Sequence, residues 1–170
     1  MEGSEQRTIF AFDCGATNWR LYRAQYGVIG TATRLVGEPS PSPLTSFVDR
    51  RLPAVIQLSP DGSRLASFGE NAQSLVDDEL GRSHLREYFK PCIGGHLQAD
   101  PKPHQLRYTH QQALEYTRLL LQAVLAQLLK EKWRADAFDP RALFAFSYPV
   151  HWQTDHAGTV FDEFSALVRS

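Results

Sequence analysis

The stretch FAFDCGATNWRLYR, residues 10–23, decides how this chain is interpreted. An apolar run over Thr8–Cys14 predicts a short buried strand, and this strand contains a single carboxylate, Asp13. A second strand is predicted over Trp19–Tyr26, which is rich in aromatic and aliphatic residues. The small residues between the two strands predict a tight antiparallel connection, so Asp13 would stand at a strand end beside a turn.

A carboxylate beside such a turn has two interpretations. Asp13 and Asn18 are both residues that favour turns, because their side chains hydrogen-bond to nearby backbone. Alternatively, Asp13 binds Mg²⁺ through water, and the backbone N–H groups of the turn 15–17 hold a phosphate. The short stretch by itself supports both interpretations, so the rest of the chain has to decide between them.

Composition indicates one globular protein with no general affinity for nucleic acid or membranes. The 170 residues are 42% hydrophobic and 22% charged, and a domain of this length buries roughly 70% of its unfolded surface. The formal net charge of −1 gives no overall attraction to nucleic acid or acidic lipid. The two cysteines lie far apart, Met1–Arg7 is polar, and no apolar stretch approaches the ~20 residues of a membrane span. We therefore expect a soluble cytoplasmic protein with reduced thiols.

The middle of the chain is predicted to add a third strand and then leave the sheet. A strand over Val28–Val36, joined by a tight connection around Gly27, would complete an antiparallel meander. The proline- and serine-rich segment Gly37–Ser46 disfavours a helix or a central strand and predicts an excursion from this sheet. The turn Pro60–Gly62 between two strand-like runs predicts a hairpin, and Asn71–Leu80 predicts a short helix.

The last third of the chain is predicted to be helix, strand and helix. Thr109 and Gln112 form a capping box at the start of the long helix. Its apolar face is formed by residues at helical spacing: Leu114, Leu121, Val124, Leu125, Leu128 and Leu129. Ala142–Ser147 predicts a buried strand, and Thr154–Val168 predicts a final helix.

This order of elements predicts an α/β fold. A helix between the meander and the strand at 142–147 indicates a mixed sheet with helices on its faces. Residues 8–36 and 105–170 would form the core subdomain, and residues 37–104 an inserted subdomain that contains the hairpin. The final helix is followed by no strand that returns to the sheet, so we expect the chain to be a fragment.

Five segments, in order along the chain, resemble one family. Residues 10–23 look like the first phosphate motif of the actin, hexokinase and heat-shock ATPase superfamily. Three further segments are similar to parts of the seventy-kilodalton heat-shock chaperones: PAVIQLSPDGSRLASFGENA (53–72), FKPCIGG (89–95) and the helix that begins YTHQQALEY (108–116). LFAFSYPVHWQTDHAG (143–158) resembles the family strand that ends V-P-A-Y-F and the helix after it.

The resemblance implies a fold, an activity and partners. The fold would be a ribonuclease H-like (actin-like ATPase) half-lobe, with residues 1–170 as a single incomplete ATPase lobe. The cofactors would be ATP or ADP with magnesium. In the intact protein, ATP hydrolysis would control the binding of unfolded peptide clients, and co-chaperones would bind through domains that lie outside these residues.

The resemblance also implies roles for single residues. Asp13 matches the aspartate that binds magnesium through water, and Lys90 matches the lysine that positions the attacking water and the γ-phosphate. Pro149 matches the proline proposed to couple nucleotide state to the partner domain. The phosphate-binding hairpin is matched by Gly15, Ala16, Thr17 and Asn18.

The sequence departs from the family pattern at several points, among them the proline that follows Lys90 and the loose match of SYPVHW to V-P-A-Y-F. Ala16 replaces the usual threonine, so a side-chain hydroxyl is lost while the backbone amides remain. The second phosphate loop, D-L-G-G-G-T, and the E-P-T-A-A segment are absent from the 170 residues. We therefore expect this chain alone to bind ATP weakly or not at all.

Other functions have less support in the sequence. A ribonuclease H-like nuclease needs several carboxylates on two metals, but the strand at 142–147 ends in Phe146-Ser147-Tyr148-Pro149 and no basic stripe marks a path for DNA. A non-catalytic actin-like module is compatible with Ala16. A sugar kinase or bacterial actin-like protein would share the first motif but not DGSRLASFGENA. Ser147 lacks the G-x-S-x-G context of a serine nucleophile.

Overall fold

A computed structural model gives the fold. It describes residues 6–29, 32–74, 82–131, 133, 136, 139–149, 152 and 158–169. The larger sheet contains β1 (Gln6–Cys14), β2 (Asn18–Ile29), β3 (Ala32–Pro41), β4 (Leu52–Pro53) and β8 (Leu143–Phe146). The smaller sheet contains β5 (Val55–Leu58), β6 (Leu65–Phe68) and β7 (Leu85–Glu87). The α-helices are α1 (Glu70–Gln73), α2 (His110–Leu128) and α3 (Thr159–Arg169).

The larger sheet is mixed, as the sequence predicts. Its strand order is β3-β2-β1-β8, and β4 pairs with the start of β2 on the edge opposite β1. β1 runs antiparallel to β2 and parallel to β8, in a register that pairs Phe10 with Phe144 and Phe12 with Phe146. Because β1 and β8 are parallel, their carboxyl ends meet at one edge of the sheet, and both predicted strands contribute to that edge.

Two predicted strand boundaries are wrong. The turn expected around Gly27 does not form there, because Gly27 is paired with both Gln6 and Arg34 and β2 continues to Ile29. Glycine is tolerated here since the strand is held on both sides. The excursion expected to start at Gly37 begins later, because β3 continues to Pro41. β3 is an edge strand, where a proline leaves no ladder hydrogen bond unmade.

One face of the larger sheet forms the core with α2. On β1 the alternation is clear: Phe12 and Cys14 are buried, whereas Asp13 between them is exposed on the opposite face. The predicted capping box of α2 is confirmed, because Thr109 and Gln112 exchange side-chain to backbone hydrogen bonds. Residues buried on both sides of the interface include Phe10, Trp19, Leu21, Leu114, Leu120, Leu121, Val124 and Leu128.

The remaining predicted elements are confirmed in part. The strand predicted at 142–147 forms as β8, but it is not buried: β8 lies at the edge of the sheet, and Leu143, Phe144 and Ala145 are exposed. The hairpin turn at Pro60–Gly62 connects β5 and β6 as expected. α1 ends at Gln73, and residues 75–80 of the predicted helix lie outside the described residues. α3 begins at Thr159, and the predicted first turn from Thr154 also lies outside them. Within the described part of the chain, no helix has the length and apolar character needed to cross a membrane.

Candidate functional site

A pocket of about 310 Å³ opens at the carboxyl ends of β1 and β8. Five of the residues singled out from the sequence line it, although they are spread over more than 130 positions: Asp13, Gly15, Ala16, Lys90 and Pro149. A crevice at the carboxyl ends of parallel strands is where α/β sheets commonly bind ligands. The fold therefore places these residues where a ligand site is expected.

The β1–β2 turn forms one side of the pocket. The N–H of Gly15 donates to the carbonyl of Asp13 at 3.1 Å, which closes the start of the turn. A Cβ atom at Gly15 would lie 2.4 Å from the carbonyl oxygen of Asn18, closer than any real contact. Only glycine fits at this position without a shift of the backbone. The turn is tight for a steric reason and brings the backbone of Gly15 and Ala16 to the pocket wall.

The carboxylate of Asp13 is held from two directions. Its Oδ1 accepts a hydrogen bond from the hydroxyl of Ser147 at 3.0 Å, and its Oδ2 lies 3.8 Å from Nη1 of Arg20. About half of the Asp13 side chain is exposed to solvent, at 53%. An exposed carboxylate that retains acceptor capacity suits binding of a hydrated cation through water.

Lys90 is buried beneath the pocket, with a relative exposure of 8%. Its ammonium group donates to the carbonyl of Cys14, at the end of β1, and to the carbonyl of Ser147 at 3.5 Å, just after β8. The ring of Trp152 lies 5.9 Å from Nζ. Burial lowers the pKa of Lys90, whereas the nearby Cys14 and Asp13 raise it. An ammonium has three donors, so the third can serve a ligand in the pocket.

The loop that contains Lys90 is fixed by packing against both long helices. Residues Lys90–Cys92 form one 3₁₀ turn, and the preceding Phe89 is buried in the core. Gly94 has a φ of +70°, and a Cβ atom there would lie 2.9 Å from Val160 of α3. The Gly94 N–H donates to Nδ1 of His110, the first residue of α2, at 2.9 Å. Lys90 is thus positioned by a rigid segment.

Cys14 is a buried structural residue. It is 1% exposed, and burial raises the pKa of its thiol to about 12, although the charge of Lys90 lowers it. A thiol with such a pKa stays protonated near neutral pH and is a poor nucleophile. The carbonyl of Cys14 is the group that contributes to the site, because it accepts a hydrogen bond from Lys90.

Two of the predicted phosphate-binding residues do not line the pocket. The carbonyl of Thr17 accepts the N–H of Ala54 at 2.8 Å, and its hydroxyl accepts from the Asn18 amide at 3.3 Å. Asn18 is the first residue of β2 and pairs with Pro53 of β4. These contacts connect the far side of the turn to the sheet, so the pocket receives only the first half of the hairpin.

Sequence reasoning missed three contributors to the site. Ser147 contacts both Asp13 and Lys90, Arg20 lies beside Asp13, and Trp152 lines the pocket next to Lys90. The only signal for Ser147 was its place at the end of a predicted strand. The stagger between β1 and β8, which puts Ser147 beside Asp13, cannot be read from either segment alone.

The described residues contain no group of three or more histidine, cysteine, aspartate or glutamate side chains that could enclose a metal ion. A cation held by one carboxylate through water and by a phosphate needs no such group. No protein-family model matches the sequence, and a search of curated proteins gives no match. The structure defines the chain as an α/β protein with a mixed sheet, a small antiparallel sheet and helices.

Proposed function

We propose that this chain forms one wall of an ATP-binding cleft of the heat-shock chaperone type, in an actin-like ATPase fold. The observation that carries the proposal is the convergence of Asp13, the Gly15–Ala16 backbone and Lys90 on one pocket. The three are contributed by a strand, a turn and a distant loop, and they are the groups that phosphoryl transfer requires. Local turn preferences give no reason for Lys90 to be there.

Each group would act by position and charge. Bound Mg²⁺ would neutralise part of the phosphate charge. Asp13 would accept hydrogen bonds from water molecules around the cation, and the hairpin amides would face phosphate oxygens. Lys90 would direct its third N–H toward the γ-phosphate, where its positive charge stabilises the negative charge of the transferring group. All three act without covalent chemistry.

The surroundings of the pocket support a role in coupling. Pro149 lines the pocket two residues after Ser147, and Trp152 follows it against Lys90. A change in the bound nucleotide would therefore change the contacts of Pro149 and Trp152, which precede α3 in the chain. In the proposed intact chaperone, which is cytoplasmic, the segment that contains them would transmit the nucleotide state to a domain that binds unfolded peptides, with co-chaperones acting on the same cycle.

The nuclease alternative receives no comparable support. Asp13 is the only carboxylate that lines the pocket among the described residues. Two-metal hydrolysis of a phosphodiester needs several carboxylates around the ions. The described part of the site therefore favours the binding of a nucleotide phosphate over the cleavage of nucleic acid.

The proposal is tested by comparing two lysine variants. Mg·ATP binding is measured by ³¹P NMR for the wild type, Lys90→Met and Lys102→Met. Lys102 is a matched control, because its side chain is 64% exposed and pairs only loosely with Asp100 at 3.5 Å. With one wall of the cleft, we expect a Kd of about 1 mM for the wild type and for Lys102→Met. Lys90→Met should weaken binding about tenfold, which corresponds to about 1.4 kcal/mol.

Methionine is chosen because it fills the space of the buried lysine stem while it removes the charge and the N–H donors of the ammonium group. Unchanged ATP affinity in Lys90→Met would remove Lys90 from the site. Sub-micromolar affinity in the wild type would contradict the one-wall account, and so would the absence of any binding at millimolar ATP.

A further inference from the structure

Ser147 occupies the point where the β1–β8 ladder ends. The last paired residues are Phe12 and Phe146, and the N–H of Ser147 then donates to the carbonyl of Phe12 at 2.8 Å. The Ser147 hydroxyl accepts the N–H of Cys14 at 3.0 Å. A side chain thus replaces the next rung of the ladder, and this brings the hydroxyl oxygen beside Asp13.

The hydroxyl and the carbonyl of Ser147 form three hydrogen bonds at the same time. The hydroxyl oxygen accepts from Cys14 and the hydroxyl proton is donated to Oδ1 of Asp13, while the carbonyl oxygen accepts from Lys90. A hydroxyl has one proton, and the bond from Cys14 fixes the direction in which that proton can point. Ser147 therefore contacts both of the charged groups in the site, with its side chain on one and its backbone on the other.

We propose that Ser147 is a positioning residue that sets the orientation of the Asp13 carboxylate toward the pocket, a role that rests on the proposed function for its consequence in nucleotide binding. Without this hydrogen bond, the carboxylate keeps one partner among the residues that the structure describes, Arg20. The Arg20 contact is long, at 3.8 Å, and both side chains are about half exposed. Such an exposed pair holds a side chain weakly.

Serine and alanine at position 147 predict different behaviour of the Asp13 side chain. With Ser147 present, Oδ1 is directed along the sheet edge toward β8, and the carboxylate stays beside Lys90 and the turn. With the hydroxyl removed, Asp13 becomes free to sample other rotamers or to approach Arg20, which does not line the pocket. The orientation of Asp13 in the unliganded chain therefore reports the role of Ser147 directly, with no nucleotide required.

The first measurement is the Asp13 χ1 angle in solution, from three-bond couplings between the side-chain carboxyl carbon and the backbone. Ser147→Ala is compared with Ser147→Thr, which keeps the hydroxyl, and with Ser67→Ala. Ser67 is a matched control, since its hydroxyl donates to Gln57 at 3.0 Å on the other sheet. We expect a single Asp13 rotamer in the wild type, Ser147→Thr and Ser67→Ala, and averaged couplings in Ser147→Ala.

The second measurement is the affinity for Mg·ADP in the same four proteins. Ser147→Ala should weaken it about fivefold, which corresponds to about 1 kcal/mol, and Ser147→Thr should restore the wild-type value. A single, unchanged Asp13 rotamer in Ser147→Ala would overturn the positioning role. An absence of Mg·ADP binding in the wild type would instead overturn the proposed function, and the couplings would still decide the role of Ser147.

Discussion

Two of the hairpins carry an aspartate in or next to the turn, Asp13 and Asp61, and the two carboxylates make opposite kinds of contact. Asp61, in the β5–β6 turn, accepts hydrogen bonds only from its immediate neighbours Ser59 and Ser63 among the described residues. The Ser59 hydroxyl, followed by the N–H and hydroxyl of Ser63, lowers the pKa of Asp61 to about 2. Asp13, in the β1–β2 region, instead contacts Ser147, which is 134 positions away.

The comparison shows what separates a structural turn from a candidate site. Both turns follow an apolar strand, and both combine an aspartate with a glycine. The local sequence therefore does not distinguish a structural turn from a ligand-binding turn. Asp61 uses its acceptor capacity to stabilise its own turn. Asp13 is turned toward another strand and a pocket that also contains Lys90. The difference is made by long-range packing.

The largest expected effect concerns the two glycines of these turns. Gly15→Ala would place a Cβ atom 2.4 Å from the backbone oxygen of Asn18, whereas at Gly62 nothing lies within 4 Å. Gly62 has a φ of +70°, so alanine there costs about 1 kcal/mol of backbone strain. Gly15→Ala has to displace backbone and should lower the free energy of unfolding by about 3 kcal/mol. Equilibrium unfolding in urea measures both values, and equal losses would show that the first turn is as adaptable as the second.

A smaller effect concerns the buried residue behind the first turn. The folded-state pKa of Cys14, about 12, exceeds the ordinary value of 9.0, so between these pH values the folded chain binds more protons than the unfolded chain. The stability from this group is fully present below pH 9 and falls by about 1.4 kcal/mol per pH unit above it. In Cys14→Ala, this pH-dependent loss of stability from the thiol is absent. Lys90 acts in the opposite direction up to its ordinary pKa of 10.5, because burial lowers its pKa in the folded state.

The Cys14 prediction is checked by urea unfolding of the wild type and Cys14→Ala at pH 8, 9, 10 and 11. The difference between the two proteins reports the ionisation of the thiol together with its charge interaction with Lys90. The wild type should lose stability relative to Cys14→Ala as the pH rises through this range. A difference that stays constant with pH would mean that Cys14 is accessible to solvent, and that the wall of the pocket is less closed than described.

The sequence was sufficient for most of the fold, for identifiable reasons. The strand Thr8–Cys14, the capping box at Thr109 and the hairpin at Pro60–Gly62 are all encoded by neighbouring residues, and each forms as predicted. The errors arose where pairing overrides local preference. Gly27 is held within β2 by partners on both sides, and Pro41 is accepted because β3 is an edge strand.

The site could be predicted only where a residue is recognisable from the sequence around it. Asp13 stands out as a lone charge at the end of an apolar run, whereas Lys90 was predicted only from the resemblance to the chaperone family; the structure brings both to one pocket. Ser147 does not stand out, because its importance comes from the parallel register that puts it beside Asp13. Thr17 and Asn18 resemble site residues by position, but their polar groups bind Ala54 and each other and help to hold the turn against β4.

We propose that the hairpin of Asp13 binds a magnesium nucleotide and that the hairpin of Asp61 does not. The most direct measurement is a titration of Mg·ADP followed by the backbone amide signals of Gly15, Ala16 and Gly62. It is carried out with the wild type, Asp13→Asn and the matched variant Asp61→Asn. Asparagine preserves the size of each side chain, removes its charge and replaces one acceptor oxygen with an NH₂ donor in both variants.

We expect millimolar Mg·ADP to shift the Gly15 and Ala16 signals in the wild type and in Asp61→Asn and to leave the Gly62 signal unchanged. In Asp13→Asn, the Gly15 and Ala16 signals should shift little. No shift at Gly15 and Ala16 in the wild type would contradict the proposal. Equal responses of Asp13→Asn and Asp61→Asn would contradict it as well, because the two aspartates would then have the same role.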